Sequence, residues 1–501
     1  MRKFRHLACV LMAVTCSIFG HATINDYTKD SNSTIVMNSD SLGIHPSILY
    51  NKEKIDKLKI AITNQQEPFY STWLNLKSYC DGKLSYVPVP YTGNNSADYY
   101  EKMLLPASVV RNLAMAYQLS GNLAYGQKCV QILSNFATAC TGKLFDFNTD
   151  YPNQSMKVAR ASFPFVCAYD LLINTGLIDA TTKIQVHAWF RQIEKQVKDG
   201  EIEWANNNYF DRQYFNNHLV AHTMSLLSIG IALDDSQLIQ YAVDSKECPR
   251  DVVELIQGMI LMNGDMDCAR VADKPKENGE IIDRYRHFTA GGRGLQYASL
   301  VLNLFSPISL MCTHRGWNLF EYTAPPGENL QLSYNYYSDF WRTKDSSIKG
   351  GYYGPHAQED ARLAAPADFI GNFEVGLAYY PNSKQLKDVV ESFNRASQHI
   401  DLLGYTAFFA VPTISTDEKI NRFQSEEIKL FYSDGKIHLQ NTSNNNGEIQ
   451  IFNISGQLLY KFDFKFESHS IINKKLGSGI YLIRVITSRN REVTKLIISS
   501  N

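Results

Sequence analysis

The sequence predicts a mainly α-helical fold, an α/α toroid (an incomplete barrel of helical hairpins) followed by a small C-terminal β-sandwich. Three observations predict it. From about residue 104 onward, apolar residues recur at helical spacing in paired stretches joined by tight turns. The pairs are separated by long Tyr-, Asn- and Gly-rich connections, at 80–103, 141–158, 199–217, 263–293 and 320–360. Near Thr413 the period changes to short alternating runs punctuated by Gly435, Gly447, Gly456 and Gly479. The chain has 501 residues, 44% of them hydrophobic, enough for a sizeable core and more than one domain.

The ends read as targeting and accessory segments. Arg2, Lys3 and Arg5 precede an apolar run, Leu7 to Phe19, that is too short for a stable membrane anchor. Small residues at Gly20 and Ala22 place signal cleavage after Ala22, so 1–22 is a signal peptide. No later stretch reads as apolar enough to cross a membrane, and no integral membrane segment is expected. Residues 23–412 form the helical domain, 413–428 a polar linker and 429–501 the β-sandwich. Net charge is −1, which excludes nucleic acid held by bulk charge. Of nine Cys, Cys9 and Cys16 lie in the signal, and the other seven form no CxxC pair, so thiolate zinc is excluded and most are core residues. Neither a metal nor another cofactor is expected, and the chain is expected to be a monomer.

The helices follow in order. Asn51 can cap Lys52 to Thr63, and Pro68 to Ser78 is a second helix. Ala107 to Leu119 and Tyr125 to Phe136 form a hairpin about the turn Ser120-Gly121-Asn122. The pattern repeats with Ala159 to Ile173 and Thr181 to Lys198, then His218 to Ala232, Gln237 to Tyr241 and Arg250 to Met262, then Gly294 to Phe305 and a set between Ala361 and Phe393. Loops as long as those between the pairs are usually functional. Short strands follow at Lys436 to Gln440, Glu448 to Asn453, Gln457 to Phe464, Ile480 to Thr487 and Glu492 to Ser499.

The most informative stretch runs from Tyr209 to Gly230. Its first half is polar and aromatic, and its second half is an apolar helix. Asn216, Asn217 and His218 therefore stand at a helix start, where free N–H groups and the helix dipole favour an anion. His222 lies one turn beyond His218 on the same face. Amides, imidazoles and nearby phenols suit an anionic, sugar-like ligand, and 29 Tyr with 26 Phe supply rings that stack on sugars. The competing reading is a capped helix whose histidines are satisfied in the core.

Two resemblances sharpen this. Residues 45–410 resemble the alginate-lyase superfamily of polysaccharide lyases, which are α/α toroids. The resemblance rests on His45-Pro46, on Val110 to Asn122, on Arg160 to Asp170 and on Asn216-Asn217-His218. It implies that Asn217 binds the substrate carboxylate and that His218 neutralises it or acts as base. It also implies a Tyr and an Arg near a later helix start, within Glu280 to Tyr297. No Tyr follows Arg284, Arg286 or Arg293 at the family's usual spacing, so Tyr285 and His287 are both candidates for proton transfer. The tail resembles the type A sorting domain of the type IX secretion system through Ile451 to Gly456, Leu476 to Val485 and Val493 to Ile498. That implies export to the cell surface or medium and the secretion machinery as partner.

The resulting expectation is a secreted lyase that cleaves an anionic uronate polysaccharide, alginate-like or glucuronate-like, by β-elimination. The catalytic candidates are Asn217, His218, Tyr285 and His287. Arg284, Arg293, Arg160, His222 and Tyr353 are candidates for substrate binding, with Tyr353 in a Gly-flanked loop. Tyr297, inside an apolar helix, reads as core packing. Two other classes stay open. An inverting glycoside hydrolase needs paired carboxylates, for which Glu280 with Asp283 or Glu359 with Asp360 are available. A glycan-binding protein would keep the aromatic residues and tolerate loss of His218.

Overall fold

The computed structural model describes residues 35, 42–142, 151–207, 215–265, 277–285, 293–350, 356–364 and 370–410, and strands and adjoining residues between 423 and 498. Residues 1–22, expected to be a signal peptide, and His287, Tyr353 and Cys268 lie outside the described residues. The chain divides into two compact units, Met1–Pro412 and Thr413–Asn501.

The first unit is built from helices that start where side chains can cap them. Asn51 accepts from Lys54 N at the start of α1 (Lys52–Thr63), and α2 (Phe69–Asp81) follows. Asn95 caps α3 (Ser96–Ser120), which begins well before the expected Ala107 and runs through Pro106. Gly121, at φ 70°, ends α3 in the left-handed region, and Asn122 caps α4 (Leu123–Cys140), so the hairpin turn forms as expected. Helices α5 (Tyr151–Leu172) and α6 (Ala180–Asn207) extend into stretches that read as connections. Next come α7 (Asn217–Ala232), α8 (Ser236–Val243) and α9 (Val252–Met259). A short antiparallel pair, β1 (Ile260–Leu261) with β2 (Glu280–Ile281), leads into the 3-10 turn Ile282–Tyr285.

Helix α10 (Gly294–His314) is longer than expected, and α11 (Leu330–Thr343) occupies a stretch that read as a loop. The signal of α11 is aromatic: Tyr334, Tyr337 and Trp341 recur at one-turn spacing and are buried, in a segment of low overall hydrophobicity. Helices α12 (His356–Ala364), α13 (Asn372–Tyr379) and α14 (Lys384–Glu391) follow, then the hairpin of β3 (His399–Ile400) and β4 (Gly404–Tyr405).

The core centres on α5 and α7. Helix α5 packs against α3, α6 and α7, and α7 packs against α5, α6, α8 and α10. Every residue of α7 is buried. Helix α10 corrects one sequence expectation, since its length and apolarity would suffice to cross a membrane. Its most apolar window is 83% buried within the protein, so the core accounts for that composition. The six described cysteines are buried free thiols.

The second unit contains two four-stranded antiparallel sheets. One has the order β10-β7-β6-β5, formed by β5 (Phe423–Gln424), β6 (Ile428–Ser433), β7 (Lys436–Asn441) and β10 (His469–Ile472). The other has the order β12-β11-β8-β9, formed by β8 (Gly447–Asn453), β9 (Leu458–Phe464), β11 (Gly479–Thr487) and β12 (Arg491–Ile498). Ile451 pairs with Ile483, and along β8 the buried Ile449 and Ile451 alternate with partly exposed residues, which puts alternate apolar side chains on one face. Strand β5 falls within the stretch that read as linker, and β10 had no counterpart in the sequence reading.

One buried carboxyl on α6 makes stability depend on pH. Glu201 accepts from Tyr241 (3.2 Å) and Thr223 (3.4 Å), and the Cys248 thiol lies against it. Burial pushes its pKa up from 4.5 to about 8. Between those values the folded protein keeps a proton that the unfolded chain releases. Stability therefore falls as pH rises through this window and levels off above it. Glu201→Gln should remove that slope. Its Tm, compared with wild type, should rise steadily from about pH 5 to about pH 8. A Tm difference independent of pH would contradict this.

Candidate active site

The start of α7 is anchored by side chains from two directions. Asn216 is the cap, and its Oδ1 accepts from His218 N (2.9 Å) and Leu219 N (3.4 Å). Asp283, in the 3-10 turn after β2, accepts from Asn217 N (2.8 Å) and from Asn217 Nδ2 (2.6 Å). The first three N–H groups of the helix are thus already satisfied, which corrects the expectation that they receive an anion. Capping falls to Asn216, and Asn217 is left with its amide plane fixed by a buried carboxylate. Because a carboxylate only accepts, Asn217 must turn Nδ2 toward Asp283.

Asn217 and His218 open onto a cleft of about 390 Å³. Met156 and Arg160 from α5 form one part of its lining, and Gln296, Tyr297, Leu300 and Asn303 from α10 another. The β3–β4 hairpin adds His399, Ile400, Asp401 and Leu402. The His218 ring lies 5.0 Å from that of Trp204, which braces it from α6. The Arg160 guanidinium sits 5.2 Å from the centre of the Tyr100 ring, an aromatic support for the cation.

The structure separates the sequence candidates. Asn217, His218 and Arg160 share the cleft. His222 does not. It is fully buried, with Nε2 2.8 Å from Ser155 Oγ, so it is a core histidine and not a lining residue. Arg284 is also fully buried, its Nε 3.0 Å from Glu280 Oε2, so it is a structural ion pair and not part of the cleft lining. Arg293 is exposed immediately before α10 and is not among the lining residues. The backbone of Tyr285 lies in the 3-10 turn, and its side chain is outside what is described.

The paired carboxylates that a hydrolase would need are engaged elsewhere. Asp283 holds Asn217, and Glu280 pairs with Arg284. Glu359 is buried 3.2 Å from Arg362, and Asp360 accepts from Ser346 N at 2.7 Å.

Sequence reasoning missed three parts of this site. Tyr297 read as core packing, yet it is only partly buried and lines the cleft. The readable signal was polar: Gln296 and Asn303 mark the same face of an otherwise apolar helix. Asp283 read as a possible acid and is the group that positions Asn217. His399 had no sequence signal, because it reaches the cleft from a hairpin more than a hundred residues beyond Tyr297.

Comparison with known proteins bears on the family and the fold. The profile described as alginate lyase matches residues 83–347, more than half of the chain. The profile described as a secretion system C-terminal sorting domain matches residues 433–499. Among solved structures, alginate lyase A1-III from Sphingomonas species A1 is similar, with 14% identity, a TM-score of 0.53, and coverage of 74% of this chain and 98% of that one. A variant of alginate lyase A1-III complexed with a tetrasaccharide is similar at 14% identity and a TM-score of 0.52, covering 74% of this chain and 97% of that one. No match is found among curated proteins. At that identity the solved structures support the helical fold, and the profile carries the family. The chain belongs to the alginate lyase family of polysaccharide lyases and carries a type IX secretion sorting domain.

Proposed function

We propose that this protein is an exported lyase that cleaves a uronate polysaccharide by β-elimination in the cleft of Asn217, His218, Arg160 and Tyr297. The helical unit is an incomplete α/α toroid with this cleft at one end, and the C-terminal sheets form a sandwich read by the secretion machinery. Residues 1–22 direct the first export step, and the sorting domain directs passage to the cell surface or medium.

Elimination sets three tasks. The C5 proton lies α to a carboxylate and is very weakly acidic until the negative charge developing on that group is stabilised. Asn217 is suited to this, because Asp283 holds its amide in place before substrate arrives. Arg160 adds a cation on the same cleft. A base must then take the C5 proton, and the C5–H electron pair becomes the C4–C5 double bond. The C4–O bond breaks, and an acid protonates the leaving oxygen. His218 and Tyr297 are the proton-transfer pair, since both line the cleft with Asn217 and an imidazole and a phenol can each give and take a proton.

The observation that carries this reading is the shared cleft of an anchored amide, an imidazole, a phenol and a guanidinium. Purified protein would be screened on alginate, glucuronan, hyaluronan and chondroitin, following the ultraviolet absorbance of the unsaturated uronate. The expected result is a rise on at least one uronate polymer. New reducing ends without that absorbance would overturn elimination in favour of hydrolysis.

A further inference from the structure

The cleft wall farthest along the chain carries a histidine with an unusual set of neighbours. Three donors or donor-bearing groups gather at His399 Nε2: Arg111 Nη2 at 3.1 Å, Asn112 Nδ2 at 3.3 Å and Ser108 Oγ at 3.5 Å. A guanidinium has no acceptor, so Nε2 must be the accepting nitrogen and the ring proton must sit on Nδ1. The Asn112 amide agrees, because its Oδ1 accepts from Arg111 at 3.1 Å, which turns Nδ2 toward the imidazole. Arg111 is nearly fully buried and, among the described residues, has no carboxylate within ion-pair distance. It also donates from Nη1 to the Asp401 carbonyl, in the turn of the same hairpin, and from Nη2 to Ser108 Oγ at 3.4 Å.

The hairpin is seated directly on Arg111. Gly404 has φ +82°, and a Cβ there would lie 3.0 Å from Arg111 Nε. The His399 ring meets Tyr405 edge-on at 5.1 Å. Among the described residues Nδ1 makes no hydrogen bond, while His399 lines the cleft beside Tyr297 and Arg160. This segment also lies outside the matched residues 83–347.

We infer that His399 is a specificity-determining residue, whose Nδ1–H donates a hydrogen bond to a carboxylate or hydroxyl oxygen of the sugar chain, with Arg111 as the positioning residue that fixes its tautomer. This rests on the reading of the cleft as a polysaccharide site. Protonating Nε2 would aim a second cation at Arg111. Burial and that guanidinium hold the pKa down, to about 3. His399 is thus a neutral donor at every working pH and does not serve as the acid or base. Its role is complementary to that of Arg160, which supplies charge.

The test compares His399→Phe and His399→Gln in the full chain with wild type, on whichever uronate polymer wild type degrades. Phe removes both the acceptor for Arg111 and the donor to substrate. Gln can accept from Arg111 through Oε1 and donate into the cleft through Nε2. His399→Phe should lower kcat/KM about tenfold to a hundredfold, mainly through KM, as loss of one hydrogen bond to a charged partner does. His399→Gln should recover most of it and keep both limbs of the wild-type pH profile. Unchanged kcat/KM in His399→Phe would overturn the inference, and so would loss of a pH limb in His399→Gln.

If the Phe variant fails to fold, nitrogen NMR of wild-type protein with labelled histidine decides. One imidazole, absent from the spectrum of His399→Gln, should stay in the Nδ1–H form through the range where ordinary histidines titrate, and its Nδ1 signal should move on adding oligouronate. A signal that titrates, or that ignores the sugar, contradicts the inference. A wild type that binds in this way but turns over none of the polymers would sink the lyase reading alone.

Discussion

Replacing Tyr297 with Phe should lower kcat by about 10²–10⁴-fold, with KM within a few-fold of wild type. The ring stays, so its packing on α10 and the shape of the cleft are kept, and the phenolic hydroxyl is what is lost. Tyr297 shares the cleft with His218 and Asn217, and an eliminated uronate needs a proton removed at one atom and delivered at another. A phenol can do either, since it donates as the acid and accepts as the phenolate. The check is steady-state kinetics by ultraviolet absorbance, with circular dichroism and Tm showing that the variant is folded. A folded Tyr297→Phe enzyme with nearly wild-type kcat would remove Tyr297 from the chemistry and return attention to Tyr285 and His287.

The second large effect is expected at Asn217. Asn217→Ala should cost about 10²–10³ in kcat, the usual consequence of losing a donor aimed at developing charge. The loss should fall on kcat more than on KM, because the charge to be stabilised is larger in the transition state than in the bound substrate. Asp283 makes the case specific. It fixes both the backbone N–H and the side-chain amide of Asn217, so the donor is in place before the sugar binds. Asp283→Ala should therefore lower kcat in the same direction while leaving Asn217 present. If Asn217→Ala raised KM and spared kcat, the residue would be a ground-state binding group and the proposed role would be wrong.

What could be read from the sequence followed from local rules. The hairpin of α3 and α4 was legible because Gly121 and Asn122 have conformational and capping preferences of their own. The start of α7 was legible because polar residues meet an apolar helix at Asn216. The cleft was legible only in part. Asn217 and His218 lie next to each other in sequence, whereas Tyr297 and His399 arrive through packing of α10 and of a hairpin. Periodicity alone assigned Tyr297 to the core, since most of α10 is core, and the polar positions 296 and 303 outlined the exception. Burial corrected the opposite error at Arg284 and His222, two polar residues near the motif whose partners, Glu280 and Ser155, lie in the interior. Helix α11 escaped because aromatic residues with hydroxyl groups replaced the aliphatic stripe that usually marks a buried helix face.

The measurement that tests the central claim most directly is the rate of unsaturated-uronate formation by wild type and by His218→Ala, on the uronate polymer that wild type degrades, with both proteins shown to be folded. The proposed chemistry predicts a steady rise in ultraviolet absorbance for wild type and, for the variant, a rate lower by about 10²–10⁴-fold. Equal rates in the two proteins would contradict the assignment of the chemistry to the cleft at the start of α7.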